Sequence, residues 1–391
     1  MNFSKKIVTV FVILTTLSYF EVQHAVGQGS IKVMAYYMAP REDYRPQDLP
    51  LEKLTHIIYS FTEVIDNEMK FRRPESGERL SLLVEQKKDH PHLKVMIACG
   101  GWGGSGGFSE MASTPENREK FVKSAIRFIE EYKLDGLDID WEYPGMLGNN
   151  NPYLPEDREN FTSLMRELRE AMDATGKNLM LTFASAGWKN YYNHVELPEV
   201  MKYADYMNVM TYDNVGGGTP YTAHHTNLGW VKPSDLVGTP AVSITEERGY
   251  DLDPRSAEKI ISFCMEKGVN PSQIVIGGAF YGKGWKGVPP ANNGLYQPHE
   301  GAWRGAPYSV IVEEYENKNG FVRYWDPVAK APYLYNAEEK IFISYEDRES
   351  IKLKTEYAVK TGLGGIMFWQ LRGDAEKDGL LDAIDEVVKG Q

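Results

Sequence analysis

The sequence predicts an α/β fold: a closed (β/α)8 TIM barrel with a small α+β insertion subdomain after the seventh strand. Three observations lead there. Eight short β-rich runs recur along the chain, with helical patterns between them. Strands alternating with helices read as βαβ units on a parallel sheet, and eight such units suit closure into a barrel. The main competitor is a doubly wound open sheet. No G-x-G-x-x-G loop follows the first run, which weakens the dinucleotide-binding version of that fold. The interval between the seventh and eighth runs is about twice a usual repeat, which leaves room for an insertion.

The runs are Ile31–Tyr37, Thr55–Phe61, Leu93–Cys99, Gly136–Glu142, Leu179–Ser185, Tyr206–Tyr212, Ile274–Phe280 and Gly364–Trp369. Between them lie "TPENREKFVKSAIRFIEEYK", "PEDRENFTSLMRELREAMDATG", "DPRSAEKIISFCMEKG" and "DRESIKLKTEYAVKTG". The last three open near Asp or Pro and close on Gly, as helix caps require. In the long interval, "APYSVIVEEYEN" reads as a short helix, and "GFVRYW", "APYLYN" and "KIFISYED" read as small strands. They define the insertion, residues 282–347. It should wall one side of a cleft on the face where barrel enzymes place their sites.

Residues 1–27 read as a signal peptide: a basic start, then the apolar run Ile7–Phe20, then small residues up to Gly27. The run is short for a spanning helix, which needs roughly 20 apolar residues. An uncleaved anchor is the alternative. Residues 28–391 are expected to be a secreted, soluble monomer, extracellular or periplasmic, without stable membrane association. The formal net charge of −12 argues against a nucleic-acid partner, because phosphate binding needs a basic face. Cys99 and Cys264 each lie in an apolar pattern and read as buried free thiols. His224 and His225 stand together on a Gly-rich stretch and read as a surface loop in preference to a metal site.

The fourth run carries the chemistry. "KLDGLDIDWEYPG" packs Asp135, Asp138, Asp140 and Glu142 into eight residues, while Leu137, Ile139 and Trp141 alternate with them. Side chains alternate across a strand, so Asp138, Asp140 and Glu142 share one face, with Cα atoms about 6.6–7 Å apart along it. In a barrel the apolar set meets the helices and the acids point inward, Asp138 deepest and Glu142 at the mouth. Carboxyl groups that close resist simultaneous ionisation, so a proton is held near neutral pH. That is the condition for a general acid, and Glu142 is placed to be it. A polar barrel plug or a divalent-metal site are the competing readings; Asp213 is the one acid that ends another strand run.

D-x-x-D-x-D-x-E at Asp135–Glu142 resembles the central motif of family 18 glycoside hydrolases, the chitinases. Other stretches agree in order: "KVMIACGGW" is similar to the family's S-x-G-G-W run, "MTYD" to its M-x-Y-D motif, "GGAFYGKGW" to its seventh-strand exit, and "GGIMFW" ends on a tryptophan matching the family's sugar-site floor. The resemblance covers nearly all of residues 28–391. It implies a deep-cleft chitinase acting on chitin or chitooligosaccharides without a cofactor or metal. It further implies substrate-assisted, retaining catalysis, in which the substrate's 2-acetamido oxygen is the nucleophile. Glu142 would be acid then base, Asp140 would orient the acetamido N–H, and Asp138 would share a proton with Asp140. Tyr212 would bond the acetamido carbonyl, and Asp213 would hold the sugar at the −1 position. Substrate contacts are expected from Trp369, Met210, Trp102, Gly101, Tyr36, Phe61, Tyr281, Lys283 and Tyr143, with Trp285 a further aromatic candidate. Asp135 belongs to the motif structurally. Two positions depart from the family pattern: Ala98 replaces a serine thought to bond the deepest aspartate, and Lys283 replaces an arginine, keeping charge but losing a bidentate fork. An endo-β-N-acetylglucosaminidase acting on N-glycans, a non-catalytic chitin-binding lectin and a metal-dependent lyase are the alternatives.

Overall fold

In the computed structural model, eight parallel strands close on one another. The structure describes residues 31–40, 42–216, 218–249 and 252–390, so the expected signal peptide lies outside the described residues. The strands run in chain order: β1 (Lys32–Tyr37), β2 (His56–Ile65), β3 (Glu68–Lys70), β4 (Lys94–Gly100), β5 (Gly136–Asp140), β6 (Met180–Ala186), β7 (Tyr206–Met210) and β8 (Ile274–Ala279). Then follow β9 (Tyr281–Lys286), β10 (Gly301–Pro307), β11 (Val322–Asp326), β12 (Ala331–Asn336), β13 (Ile341–Ser344) and β14 (Gly365–Trp369). The order β1-β14-β8-β7-β6-β5-β4-β2 is sealed by β1 pairing with β2, and every pair around the ring is parallel. This is the expected (β/α)8 barrel.

Helices form where the sequence caps them. Pro115–Tyr132 starts behind Thr114, whose hydroxyl accepts the Asn117 N–H, with Pro at the first position. Arg348–Thr361 starts behind Asp347, which accepts the Ser350 N–H, and ends on Gly362 in the left-handed region. The helices bury one stripe against the outer face of the barrel, where Leu137, Ile139 and Trp141 join the large outer core as their alternation requires. Cys99 and Cys264 are both free and buried.

Between β8 and β14 stands a second, antiparallel sheet in the order β10-β9-β13-β12-β11. It reaches from Tyr281 to Ser344, so its first strand begins one residue ahead of the expected 282–347 insertion. The stretch read as a short helix is a brief helix, Tyr308–Val310, running into a single wide turn, Ile311–Tyr315. Trp285 sits here at 1% exposure, between His299 and Phe342. It is a core residue of the insertion and not a sugar contact. Trp285 shares the period-two face of Tyr281 and Lys283 on β9, but this end of the strand is covered by the insertion's own apolar cluster, Phe342 and Val288 among it.

Candidate active site

The site is built at the C-terminal end of β5. The ladder with β4 pairs Ala98 with Asp138 and Gly100 with Asp140, then stops. The strand is therefore two residues shorter than the run Gly136–Glu142. Beyond Asp140 the backbone bonds sideways: Gly101 donates its N–H to the Asp140 carbonyl at 2.8 Å, and Glu142 donates its N–H to Ser105 Oγ at 2.9 Å. Glycine is required at this crossing, because a Cβ on Gly100 would lie 2.1 Å from the Asp140 carbonyl oxygen.

Asp138, Asp140 and Glu142 are all buried. Asp138 is deepest and well supplied. Tyr36 OH donates to Oδ2 at 2.9 Å, while Thr182 Oγ1 and Asn208 Nδ2 donate to Oδ1 at 2.5 and 3.1 Å. Burial pushes its carboxyl up to about 6 and the three donors restrain the rise. Donors from β1, β6 and β7 thus satisfy Asp138 without a hydroxyl at Ala98. Asp140 has no such support, and its Oδ1 lacks a hydrogen-bond partner among the described residues. Burial first, then the neighbouring charges of Glu142 and Asp138, push its carboxyl well above the usual carboxylate range. Glu142 is pushed by burial to about 7; Tyr143 eases it down and Asp213 pushes it up. No hydrogen bond links Asp138 to Asp140 among the described residues.

Asp140 and Glu142 open on a cleft of about 840 Å³, with Asp138 sealed beneath them. Trp369 lies on its floor, stacked on Phe61 with ring centres 5.5 Å apart, and Tyr36 tilts against it at 6.0 Å. Trp102 stands at the cleft with 53% exposure. Tyr143, Met210, Tyr212 and Tyr281 line it too. The Tyr212 hydroxyl makes one long contact, 3.9 Å to Met367 Sδ, and the residue lines the cleft. Asp213 accepts from Tyr281 OH at 2.5 Å and pairs with Lys283 Nζ at 2.7 Å. Burial opposes its charge, but His225 and Lys283 outweigh burial and hold it far below the usual range. Asp213 is the fixed anion of the site.

One expected contact residue falls elsewhere, and Asp135, expected only as a structural part of the motif, lies apart from the cleft. Gly101 does not line the cleft; it carries the backbone crossing, with φ of +79°, and a Cβ there would strike the Phe61 ring. Asp135 sits at the opposite end of β5, bonded to Lys87 Nζ at 2.6 Å and Val95 N–H at 2.9 Å, as a structural anchor. The histidine pair is not a surface loop. His224 is buried against Asp326 at 3.1 Å, and His225 is sealed behind the site, its Nε2 3.2 Å from the Tyr281 carbonyl. Partners supplied by the insertion bury both.

The sequence reading missed further cleft residues. Trp188 and Arg255 line one part of it, with the guanidinium 4.5 Å over the indole. Glu63 and Arg72, paired at 2.7 Å, line another. Trp188 directly follows a strand run, as Trp102 does, and that position was the available signal. Glu63 and Arg72 come from the β2–β3 hairpin, which the run ending at Phe61 conceals.

A family described as glycosyl hydrolases family 18 matches residues 33–374. Chitinase A1 of Niallia circulans is 33% identical over 92% of this chain and 59% of its own length, so this chain spans about three-fifths of that relative. Chitinase B of Serratia marcescens is 29% identical over 85% of this chain and 76% of its own. Among solved structures, a family 18 N-acetylglucosaminidase from Paenibacillus barengoltzii superposes with a TM-score of 0.81 at 37% identity, covering 91% of this chain and 99% of that one. Chitinase ChiA74 from Bacillus thuringiensis gives 0.82 at 30% identity, covering 93% and 70%. With its barrel, its inserted sheet and its column of buried acids, the chain belongs to glycosyl hydrolase family 18.

Proposed function

We propose that the protein is a chitinase that hydrolyses β-1,4-linked N-acetylglucosamine polymers or oligomers by substrate-assisted, retaining catalysis. One observation carries this reading: Glu142 is a buried carboxyl poised near 7 at an aromatic cleft, and no other acid there is free to attack. The Asp140 carboxyl is raised well above the usual range, Asp213 is engaged by Lys283 and Tyr281, and Glu63 is paired with Arg72. The nucleophile is left to the substrate's own acetamido oxygen.

Glu142 protonates the glycosidic oxygen and later takes a proton from water. The unpartnered Oδ1 of Asp140 accepts the acetamido N–H, and Asp138 shares the proton of Asp140 as positive charge develops on the oxazolinium-like ring, once the Asp140 side chain turns inward to meet it. The hydroxyl of Tyr212 meets the acetamido carbonyl, and Asp213 fixes the −1 sugar. Trp369 and Phe61 form the apolar floor. The leader expected in residues 1–27 fits an exported enzyme. Among the described residues no helix is long and apolar enough to cross a membrane.

A second reading, release of single N-acetylglucosamine units from chain ends, draws support from the likeness to the Paenibacillus enzyme. Product analysis on chitohexaose by mass and anomer separates the two. Internal cleavage with the β-anomer retained is the expected result, whereas monomer as the sole early product favours the second reading. An inverted anomer, or equal turnover of a glucose polymer without N-acetyl groups, sinks the mechanism. Release of glycans from a high-mannose glycoprotein, with chitohexaose untouched, reassigns the substrate.

A further inference from the structure

We infer that Ser105 is a positioning residue for the general acid, holding the backbone on both sides of Trp141 so that Glu142 stands where it can reach the glycosidic oxygen. This rests on the reading of Glu142 as proton donor.

The β4–β5 ladder ends at Gly100 and Asp140, so no strand fixes the chain at Glu142. Ser105 takes over. Its Oγ accepts the Glu142 N–H at 2.9 Å and lies within reach of two carbonyls, Asp140 at 3.0 Å and Gly101 at 2.9 Å. A hydroxyl has one proton, so it donates to one of these carbonyls while its lone pair receives the amide. Ser105 is 1% exposed, and Asp140 and Glu142 are buried beside it, so bulk water cannot replace it.

The same short turn leads into Phe108, whose ring stacks on Trp141 at 5.2 Å. Trp141 is thus clamped on its apolar side while Ser105 clamps its flanking peptides. Downstream, Asn151 Nδ2 donates to the Glu142 carbonyl at 3.2 Å, and Asp157 accepts the Gly145 and Leu154 amides at 3.2 and 2.8 Å. Beside the Gly101 N–H on the Asp140 carbonyl, side chains orient the catalytic peptide unit. Ser105 is the only one of them, among the described residues, that bonds both before and after Trp141. The aromatic floor that binds substrate comes from other strands, β2 and β14. Loosening Ser105 should therefore harm the proton-transfer step and spare binding.

The test is kinetics of Ser105→Ala and Ser105→Cys on a soluble chitooligosaccharide, with Ser105→Thr as rescue. A misplacement of about 1 Å costs roughly 100-fold in rate. We expect kcat to fall by about 10- to 100-fold, KM to stay within about twofold, and the alkaline limb of the kcat/KM profile to move to lower pH as water reaches Glu142. Threonine, which keeps the hydroxyl, should restore both. An unmoved alkaline limb, with any loss tracking the melting temperature, overturns the inference. If the alanine variant does not fold, the cysteine variant decides by the same limb. Unchanged turnover in Glu142→Gln would instead defeat the underlying assignment, whatever Ser105 does.

Discussion

The acid column of β5 and the ion pair of Lys354 with Glu346 are both buried, yet only the second has its charge answered by an opposite one. Lys354 and Glu346 are fully buried, with Nζ and Oε1 2.6 Å apart. Lys354 also reaches Thr226 Oγ1 at 2.8 Å and the Gly277 carbonyl at 3.2 Å, and Glu346 accepts from Ser350 at 2.6 Å. Burial lowers the lysine and raises the glutamate, and each partner works against that. The pair ties β8, the segment around Thr226, the chain leaving β13 and the helix Arg348–Thr361 into one node. On β5, Asp138, Asp140 and Glu142 form no ion pair with a cation among the described residues. Their repulsion is relieved by holding protons, and a held proton can be given away. A buried charge with a partner is architecture; a buried acid without one is available for chemistry.

The largest expected effect comes from removing the transferable proton. Glu142→Gln keeps shape and burial but cannot act as acid or base, so turnover of chitooligosaccharides should fall roughly 1,000-fold or more while binding persists. Steady-state rates together with calorimetric titration would decide it, and undiminished turnover ends the assignment. Next comes the other cluster. Lys354→Met strands Glu346 in the interior and should cost about 3–5 kcal/mol in urea unfolding. The double variant Lys354→Met, Glu346→Leu should recover most of that loss, since an apolar pair of similar volume replaces buried charge at little cost. A single variant within about 1 kcal/mol of the parent would mean that the pair is not what holds the node.

Residues on β5 were legible because two signals coincide there. Period-two alternation fixed the strand, and acids on its inner face had no packing purpose. Lys354 was less visible. In "DRESIKLKTEYAVKTG" it looks like one more solvated lysine, although Ile351, Lys354, Thr355 and Ala358 make the buried stripe of that helix. Its partner, Glu346, lies beyond the helix start, and Thr226 lies 128 residues away. The same distance hid the histidines: Asp326, which buries His224, is 102 residues downstream. Ser105 was concealed differently. Nothing in "GGSGG" marks a functional serine, and only the return of the chain leaving β4 onto the end of β5 turns its hydroxyl into a clamp. Local pattern reports what a strand buries. It does not report which distant loop arrives to cover it.

The smallest effect expected is in stability, and its sign separates the two clusters. Glu142 has an ordinary value of 4.5 and is pushed to about 7 in the folded chain. The folded state therefore binds more protons than the unfolded state between those values, and stability falls as pH rises through that window. Below about 4.5 the group is protonated in both states and contributes no penalty. Above about 7 the penalty is complete. Glu142→Gln removes it, so the variant should melt with the parent near pH 4 and above it at pH 8, by at most about 3 kcal/mol. Lys354→Met has the opposite effect, being destabilised at pH 8, where Glu346 is most strongly driven to ionise. Thermal unfolding of both variants at the two pH values reads the difference directly. If Glu142→Gln is no more stable than the parent at pH 8, the carboxyl is not under the electrostatic load that its burial implies, and the acid column would need a partner that these contacts do not provide.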